Sequence, residues 1–338
     1  MPVAFDQRLI AALQAVFVLP RRMLLETPGV QATVPMLRGV WGAALHDLDP
    51  LAYAAVFAPN DRASGSSSPD PPPWPPPHRA GSALAQAQAN CPASQGSPPP
   101  AQGGTMAAGY VLRPAPADPT FAPAVEWILL GHALQYDFTL CRAWDVASGM
   151  GLGPQRRRFH IRRILALGPD GRPADQMAPW PLSAVRWGPL SPSQSNPPRE
   201  LTPHQPCRLW FPAPLRLMRR GGLIERPTLA DLVVAACRRV KSYLPPQRRA
   251  AWDELTQQAL ALARATPNGP WRGQRLDLHR YSGRQRAQVE LRGVSGCLDL
   301  PRGPGPLWPL LAAACWLHLG KGTVMGLGQL HVEVLANV

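Results

Sequence analysis

The sequence contains very little lysine. Its 35 basic residues include only two lysines, Lys241 and Lys321, so almost all of its positive charge is arginine. The chain also contains 43 prolines and 29 glycines, and a GC-rich coding bias explains this composition as well as a functional need for arginine does. The number of arginines is therefore weak evidence about function, and their distribution along the chain carries more weight.

The sequence also lacks paired cysteines, a leader segment and a membrane span. None of its six cysteines forms a C-x-x-C pair, which argues against a zinc site and against a disulfide framework. The first residues, MPVAFDQRLIAALQ, hold no basic segment followed by a long apolar stretch. No apolar run has the length needed to cross a bilayer. We therefore expect a reduced, cytoplasmic protein that uses no metal and no cofactor and binds no membrane.

Positive charge is concentrated in the second half of the chain. Residues 1–150 hold 8 basic and 10 acidic side chains, whereas residues 151–338 hold 27 basic and 11 acidic ones. A neutral half joined to a strongly basic half is typical of proteins that bind a polyanion. A membrane surface is the rival partner, but no segment has the pattern of an amphipathic helix with a continuous arginine face. A nucleic acid is the favoured partner.

One long segment differs from the rest in composition. Residues 59–100 contain twelve prolines and few apolar side chains, so burial cannot offset the entropy lost on ordering them. The polar stretch LSPSQSNPPRELTPHQP at 190–206 has the composition of a linker. We predict a first domain at 1–189 with a disordered insertion at about 59–108, a linker at 190–205 and a second domain at 206–338.

Between these breaks, hydrophobic periodicity predicts two similar sets of elements. The first set is a strand at 13–25, a helix at 34–48, strands at 51–58 and 124–131, a helix at 133–148 and a strand at 156–167. The second set is a strand at 206–220, a helix at 227–244, strands at 275–284 and 287–300, a helix at 307–319 and a strand at 327–334, with a further helix at 248–265. Both sets follow the order strand, helix, strand, strand, helix, strand. We therefore predict an α+β protein of two tandem ferredoxin-like (RRM-like) domains.

A glycine-rich stretch lies between the last predicted helix and the last strand. LHLGKGTVMGLGQLHVEV at 317–334 places four glycines and a lysine within nine residues. The spacing matches neither a P-loop, because glycine follows Lys321, nor a dinucleotide fingerprint. A tight turn explains Gly320 as a helix stop, but it explains the other three glycines and the lysine less well. We predict contact with the phosphates of a nucleic-acid backbone.

This loop and four other stretches resemble one protein family. The stretches are GKGTVMGLG at 320–328, LRGVWGAALHDL with AYAAVFAP at 37–48 and 52–59, EWILLGHALQYDFTLCRAWDVASGMGLGPQRRRFHI at 126–161, FPAPLRLMRRGGLIERPTLADLVVAACRRV at 211–240, and HRYSGRQRAQVELRGVSGCLDL at 279–300. The glycine loop resembles that of the RAMP superfamily. The combination resembles the Cas-six (Cas6) family, the CRISPR endoribonucleases that process precursor crRNA.

The resemblance implies cleavage of RNA without a metal. The 2′-hydroxyl upstream of the scissile bond attacks the adjacent phosphate and leaves a 2′,3′-cyclic phosphate and a 5′-hydroxyl. Such chemistry needs a base, an acid and cations near the phosphorane, and histidine suits either proton transfer. His46 lies in the helix from which the family draws its catalytic histidine, and Arg38 on the same helix is the candidate contact to the scissile phosphate. His132 is the second candidate histidine.

The remaining candidate residues are those expected to bind RNA. They are Gly320, Lys321, Gly322, Thr323, Gly326 and Gly328 in the loop, Arg280, Tyr281, Arg284 and Arg286 in HRYSGRQR, and Arg156, Arg157 and Arg158 on the strand predicted at 156–167. Tyr281 suits base stacking beside arginine contacts to the backbone, although an exposed basic hairpin explains the same pattern. The Arg156–Arg158 run is equally consistent with a solvated charged face.

We therefore predict a metal-independent, CRISPR repeat-specific endoribonuclease that stays bound to its crRNA, with other Cas proteins of an effector complex as further candidate partners. One alternative is a non-catalytic crRNA-binding subunit, because many related sequences carry a histidine where this chain has Ala43. A nucleotide-binding enzyme is the other alternative, and the spacing of the glycine loop disfavours it.

Overall fold

A computed structural model describes residues 4–58, 107–115, 124–175, 178–185, 203–282 and 287–335, and of residues 278–282 and 287–290 it describes the backbone alone. Most of the predicted insertion and of the predicted linker lies outside these ranges. The described residues form two α+β domains that pack against each other. No helix within the described ranges is long and apolar enough to span a bilayer.

The first domain is an antiparallel sheet flanked by helices. Its main strands β1, β2, β3 and β4 are Phe17–Glu26, Tyr110–Pro114, Ala124–Leu130 and His160–Leu167. Its helices α1, α2, α3 and α4 are Phe5–Leu13, Val34–Leu48, Pro50–Val56 and Asp137–Met150. The strands pair in the order β2-β3-β1-β4, and the two-residue strands β5 (Pro173–Ala174) and β6 (Trp180–Pro181) lie at the margins. This is the strand order of a ferredoxin-like fold.

The second domain repeats that arrangement. Its main strands β7, β10, β11 and β12 are Cys207–Leu215, Arg272–Ser282, Ala287–Leu300 and His331–Val334, and a small hairpin pairs β8 (Met218–Arg219) with β9 (Gly222–Leu223). Its helices α5, α6 and α7 are Leu229–Lys241, Arg249–Ala265 and Trp308–Leu317. The sheet order β10-β11-β7-β12 matches that of the first domain, strand for strand. The predicted fold of tandem ferredoxin-like domains is confirmed.

One strand of the first domain was predicted in the wrong place. The apolar run at 51–58 is not a strand, because it forms helix α3 up to Val56. Asp49 starts this helix: its carboxylate accepts hydrogen bonds from the backbone N–H groups of Leu51 and Ala52 at 3.1 and 2.9 Å. Pro50 occupies the first helical position, where proline is well tolerated. The missing strand is β2, close to the C-terminal end of the predicted insertion.

The sheet of the first domain is covered on both faces. Side chains alternate along a strand, so Leu19 and Met23 of β1 pack with Trp41 and the other apolar residues of α2 and α4. On the opposite face, Val18 of β1 and Ile128 of β3 belong to the core of the second domain. Helix α7, which is buried from Pro309 through Leu317, lies in that same core. The two domains therefore share one hydrophobic core.

A buried ionic cluster crosses the interface between the domains. Glu126 on β3 is fully buried and accepts hydrogen bonds from Nε of Arg22 at 2.8 Å and from Nε of Arg113 at 2.7 Å. Arg113 also donates through Nη1 to the carbonyl oxygen of Cys315 in α7, at 2.9 Å. Its guanidinium carbon lies 4.9 Å from the ring centroid of Trp316, a cation–π distance. Arg113 thus connects the first sheet directly to the second domain.

Candidate active site and nucleic-acid interface

Helix α2 carries both predicted catalytic residues on one stripe. The helix begins at Thr33, whose side chain caps its first turn. Arg38, Gly42 and His46 follow at positions i, i+4 and i+8, a spacing that places side chains above one another. Gly42 leaves room for the aromatic residues that follow: a methyl group at this position would lie 3.0 Å from the ring of Phe57. The stripe therefore borders helix α3 and its C-terminal end.

His46 is accessible and held on one side. It lies in the last turn of α2, and 44% of its side chain is exposed. Its Nδ1 atom lies 3.7 Å from a carboxylate oxygen of Asp47. The imidazole and the ring of Tyr53 are almost perpendicular, with centroids 5.1 Å apart. A group that transfers protons needs both access to its ligand and a fixed orientation, and His46 has both.

Arg38 is held by an aromatic side chain and has no polar partner among the described residues. Its guanidinium carbon lies 5.4 Å from the ring centroid of Phe57. Phe57 is stacked on Tyr53, with centroids 5.6 Å apart and planes 15° from parallel. The Nε atom of Arg38 is buried without a hydrogen bond to any described group. Arg38 is therefore held by an aromatic ring and not by a carboxylate or carbonyl oxygen of the described residues.

His132, the second candidate histidine, is already engaged in the fold. It lies in the short 3₁₀ helix Gly131–Tyr136, and its Nε2–H group donates to the carbonyl oxygen of Ala55 at 2.8 Å. This bond ties the end of β3 to α3 and leaves only Nδ1 for other partners. The geometry therefore favours His46 over His132 as the histidine that meets RNA.

The backbone itself requires all four glycines of the predicted phosphate loop. Gly320, Gly322, Gly326 and Gly328 have φ angles of +79°, +82°, +81° and +67°, in the region that favours glycine. A methyl group at Gly328 would lie 1.8 Å from the carbonyl oxygen of Leu319. From the sequence, a tight turn accounted for Gly320 alone, whereas in the structure a positive φ angle accounts for each of the four glycines. Their number is therefore no longer an argument for phosphate binding.

Other features of the loop still suit an anion. Lys321 is exposed, and its backbone N–H donates to the carbonyl oxygen of Arg216 at 3.0 Å. The successive backbone N–H groups of Gly322, Thr323 and Val324 make no hydrogen bond among the described residues. Successive free N–H groups in a turn form an anion-binding concavity. The loop therefore combines one exposed cationic side chain with fixed backbone donors.

The underside of the loop is anchored to α5. Thr323 is buried, and its hydroxyl accepts a hydrogen bond from Nη2 of Arg239 at 3.0 Å. Nε of the same arginine donates to the carbonyl oxygen of Leu317 at 3.1 Å, just before the loop. The Thr323 side chain thus faces the interior, and a contact between this residue and RNA would use its backbone. Gly326 and Gly328 are also buried.

The loop also packs against the first domain. A methyl group at Gly326 would lie 3.3 Å from the carbonyl oxygen of Leu112 in β2 and 3.5 Å from Val34, the first residue of α2. An apolar cleft of about 330 Å³ lies beside this contact, between the two domains. His46 is twelve residues beyond Val34, or about 18 Å along the helix axis. The loop and His46 therefore lie at opposite ends of α2.

The three arginines predicted to lie on a strand precede it instead. Strand β4 begins at His160, and Arg156, Arg157 and Arg158 occupy the preceding turn, where all three are exposed. Arg156 has a φ angle of +47°, and Nη1 of Arg157 donates to the carbonyl oxygen of Gly29 at 3.4 Å. A residue with a positive φ angle lies outside the β region, so a strand cannot extend through Arg156. The charges project from a turn at one end of the first sheet.

The structure does not describe the side chains of the second predicted group of RNA contacts. Arg280 and Tyr281 are on β10, where the backbone alone is described, and Arg284 and Arg286 fall outside the described residues. Their proposed contacts with RNA remain predictions from the sequence.

Several residues of the candidate site were not singled out from the sequence. Tyr53 and Phe57 lie in a run that was assigned to a strand, so their contact with α2 was not expected. Their four-residue spacing after the Asp49-Pro50 helix start is the pattern that predicts one helical face. Arg239 lies in a helix that was predicted correctly, but nothing in the sequence indicates its bond to Thr323.

Replacing Gly328 by alanine is expected to disrupt the loop. Alanine at this position would have an unfavourable positive φ angle, and its methyl group would collide with the carbonyl oxygen of Leu319. The backbone N–H of Leu319 also donates a hydrogen bond to the carbonyl oxygen of Gly328. We expect the free energy of unfolding to fall by at least about 2 kcal/mol. Gly39→Ala is the control: no described atom lies within 4 Å of the added methyl group, and alanine in a helix gains about 0.5–1 kcal/mol. Equal denaturation midpoints for the two variants would contradict this account.

Two histidines near the loop, His318 (buried) and His331 (half-buried), are kept neutral. Burial and the charge of Arg113 lower the pKa of His331 from 6.5 to about 4. Burial and the same arginine hold the pKa of His318 well below its usual value, although its Nδ1–H donates to the carbonyl oxygen of Leu327 at 3.0 Å. Protonation of either ring would put a positive charge beside Arg113 in the shared core.

Stability is therefore expected to decrease in mild acid. Below pH 6.5 the unfolded chain takes up protons that folded His331 does not bind until about pH 4. The unfolding free energy should fall across that window by about 3 kcal/mol from His331 alone. Denaturant titrations between pH 7 and 4 measure the slope, which His331→Gln should make shallower, while His204→Gln, at an exposed histidine, should leave it unchanged. Identical slopes for the wild type and His331→Gln would contradict this prediction.

The fold and the loop define the class of protein. Two tandem ferredoxin-like domains, with a glycine-rich loop between the last helix and the last strand, have the architecture expected from the RAMP resemblance. Residues 209–330 match the family model of CRISPR-associated endoribonuclease Cas6. No curated protein sequence matches the chain.

Solved structures share the fold over nearly the whole chain. The structure titled Cas6 (TTHA0078) product complex has a TM-score of 0.51 and 17% sequence identity, covering 94% of this chain and 99% of its own. Thermus thermophilus Cas6 (TTHB231) has a TM-score of 0.50 and 11% identity, with the same coverage of 94% and 99%. The chain is therefore similar to Cas6 proteins in sequence over residues 209–330 and in fold over nearly its whole length.

Proposed function

We propose that the chain processes precursor crRNA as a metal-independent, repeat-specific endoribonuclease. A 2′-hydroxyl loses its proton to a base, its oxygen bonds to the adjacent phosphorus, and the bond from phosphorus to the 5′-oxygen breaks as an acid protonates that oxygen. The products are a 2′,3′-cyclic phosphate and a 5′-hydroxyl. The observation that carries this proposal is the α2 stripe, which presents an accessible imidazole and an arginine without a polar partner among the described residues.

In this proposal the two α2 residues have different roles. His46 is the base or the acid, because neutral imidazole accepts a proton and imidazolium donates one near neutral pH. Arg38 contributes positive charge to the phosphorane, where fixed donors stabilise a developing negative charge. The second proton transfer is left to another group or to water.

The glycine loop and the basic residues hold the RNA. Lys321 and the free N–H groups that follow it bind a backbone phosphate. The Gly326 end of the loop lies beside Val34, which is about 18 Å from His46 along the axis of α2. The turn at Arg156–Arg158 and the arginines of HRYSGRQR extend the contact. A repeat hairpin would be recognised mainly by shape and phosphate position, because A-form RNA hides its base edges in a deep groove. The related TTHA0078 structure is titled a product complex, which fits continued binding after cleavage.

A second candidate function is crRNA binding without cleavage. The observation that favours it is Ala43, which stands where the family resemblance leads us to expect a histidine. In that case the loop and the arginines would bind RNA as proposed, and the chain would serve as a subunit of an effector complex with other Cas proteins.

Incubation with the cognate repeat RNA in excess EDTA distinguishes the two functions. Endonucleolytic cutting at one position, with products that carry a cyclic phosphate, is the result that our proposal predicts. Nanomolar binding without any cutting would contradict it and would support the non-catalytic role. Cutting that requires added Mg²⁺ would support a nuclease function but would refute the proposed metal-independent mechanism.

A further inference from the structure

We propose that Tyr53 is a positioning residue for His46, acting through its ring and not through its hydroxyl. The inference rests on the proposed function, because it assumes that His46 transfers a proton. Tyr53 belongs to α3, a helix that follows α2 after a single residue, Asp49. The contact that carries the inference is the perpendicular pairing of the two rings, with centroids 5.1 Å apart.

Tyr53 is one member of a continuous ladder of side chains. His46 meets Tyr53, Tyr53 stacks on Phe57 at 5.6 Å between centroids, and the guanidinium of Arg38 lies 5.4 Å from the centroid of Phe57. The ladder thus begins and ends at the two residues proposed to meet the phosphate. Because each aromatic ring contacts its neighbours on both sides, the ladder sets the distance between the imidazole and the guanidinium.

His46 needs such support because of its place in the helix. It lies in the last turn of α2, close to the point where the chain turns into α3 at Asp49. Its one ionic contact among the described residues is with Asp47, at 3.7 Å. An exposed imidazole with one long ionic contact would sample several rotamers. The ring of Tyr53 restricts it to one.

The backbone around the ladder fits this role. Gly42 lies between Arg38 and His46 on the α2 stripe, and a methyl group there would meet Phe57 at 3.0 Å. The side-chain oxygen of Asp49 accepts from the first N–H groups of α3 and so fixes where that helix starts. Tyr53 and Phe57 are four residues apart and therefore lie on the same face of the chain as it leaves α3. The sequence thus places both rings against the stripe.

The test compares Tyr53→Phe with Tyr53→Leu. Single-turnover cleavage of the repeat RNA, RNA affinity and thermal unfolding are measured for both, with Leu51→Ala as the control at an exposed residue of the same helix. We expect Tyr53→Phe and the control to cleave at the wild-type rate. Tyr53→Leu should cleave about tenfold more slowly or worse, because small displacements of a catalytic group are costly. Its RNA affinity should stay within about twofold of the wild type.

A second measurement follows the His46 ring directly. Proton NMR of the RNA-free protein should show His46 ring signals displaced by the aromatic ring current in the wild type and in Tyr53→Phe, and not in Tyr53→Leu. Wild-type cleavage by Tyr53→Leu, loss of cleavage in Tyr53→Phe, or unchanged His46 signals in Tyr53→Leu would each overturn the proposal. Cleavage that survives His46→Ala would also overturn it. That result, read in a different variant, identifies the failure as one of the role proposed for His46, because the chain would still cleave RNA.

Discussion

His46→Ala is expected to lower the single-turnover rate of repeat-RNA cleavage by about 10²–10⁴-fold, the usual contribution of a positioned acid or base. RNA affinity should stay within about twofold of the wild type. The reason is geometric: the imidazole is accessible and is held against Tyr53, whereas the proposed phosphate contacts lie elsewhere on the protein. Quenched-flow or manual time courses with excess protein measure the rate, and filter binding in parallel measures the affinity.

His204→Ala is the matched control for this prediction. His204 is an exposed histidine just before the second domain and outside the candidate site, and its removal should leave the rate unchanged. His132→Gln tests the second candidate for the catalytic histidine, because it removes the imidazole and perturbs the hydrogen bond to Ala55. Wild-type cleavage by His46→Ala, with strong loss in His132→Gln at unchanged stability, would reverse the assignment.

Glu126→Gln is expected to reduce the free energy of unfolding by about 3–5 kcal/mol, the cost of breaking a buried ion pair at one partner. The amide keeps the shape of the side chain but leaves the guanidinium groups of Arg22 and Arg113 without their buried counter-charge. Because Arg113 also binds the carbonyl of Cys315 in α7, we expect both domains to lose stability together. Urea denaturation followed by tryptophan fluorescence measures the change.

An exposed pair provides the comparison for Glu126. Glu225 lies 3.1 Å from Nη1 of Arg275, and 59% of its side chain is exposed. Glu225→Gln should change stability by less than about 1 kcal/mol, as surface ion pairs usually do. Similar small effects for the two substitutions would show that the interdomain cluster contributes little. Adding Arg113→Met to Glu126→Gln should recover part of the loss, because it removes one of the unpaired charges.

The sequence predicted the fold well where local patterns and tertiary packing agree. Helix α5 is the clearest case: Thr228 and Asp231 form the predicted capping box, with the Asp231 carboxylate 3.0 Å from the Thr228 N–H. The run at 51–58 was misassigned because LAYAAVFA suits a buried strand as well as a helix. The Asp49-Pro50 start distinguishes the two, since both residues favour the first positions of a helix.

The candidate site was only partly predictable. The resemblance led to His46 and Arg38, and the structure adds the aromatic residues that connect them. The Arg113–Cys315 bond joins residues 202 positions apart, and no local pattern encodes such a contact. The glycine loop shows the opposite problem. Its composition suggested a ligand, although the positive φ angles alone require the glycines.

The central claim is that the 2′-hydroxyl of the RNA is the nucleophile, and that the protein positions the RNA and assists the proton transfers. The most direct measurement compares a repeat RNA with the same RNA carrying a single 2′-deoxy sugar upstream of the cleavage site, both in EDTA. The account predicts equal affinity for the two RNAs, complete cutting of the unmodified one and no cutting of the deoxy one. Cutting of the deoxy RNA at the same position would contradict it, because no nucleophile would then come from the RNA.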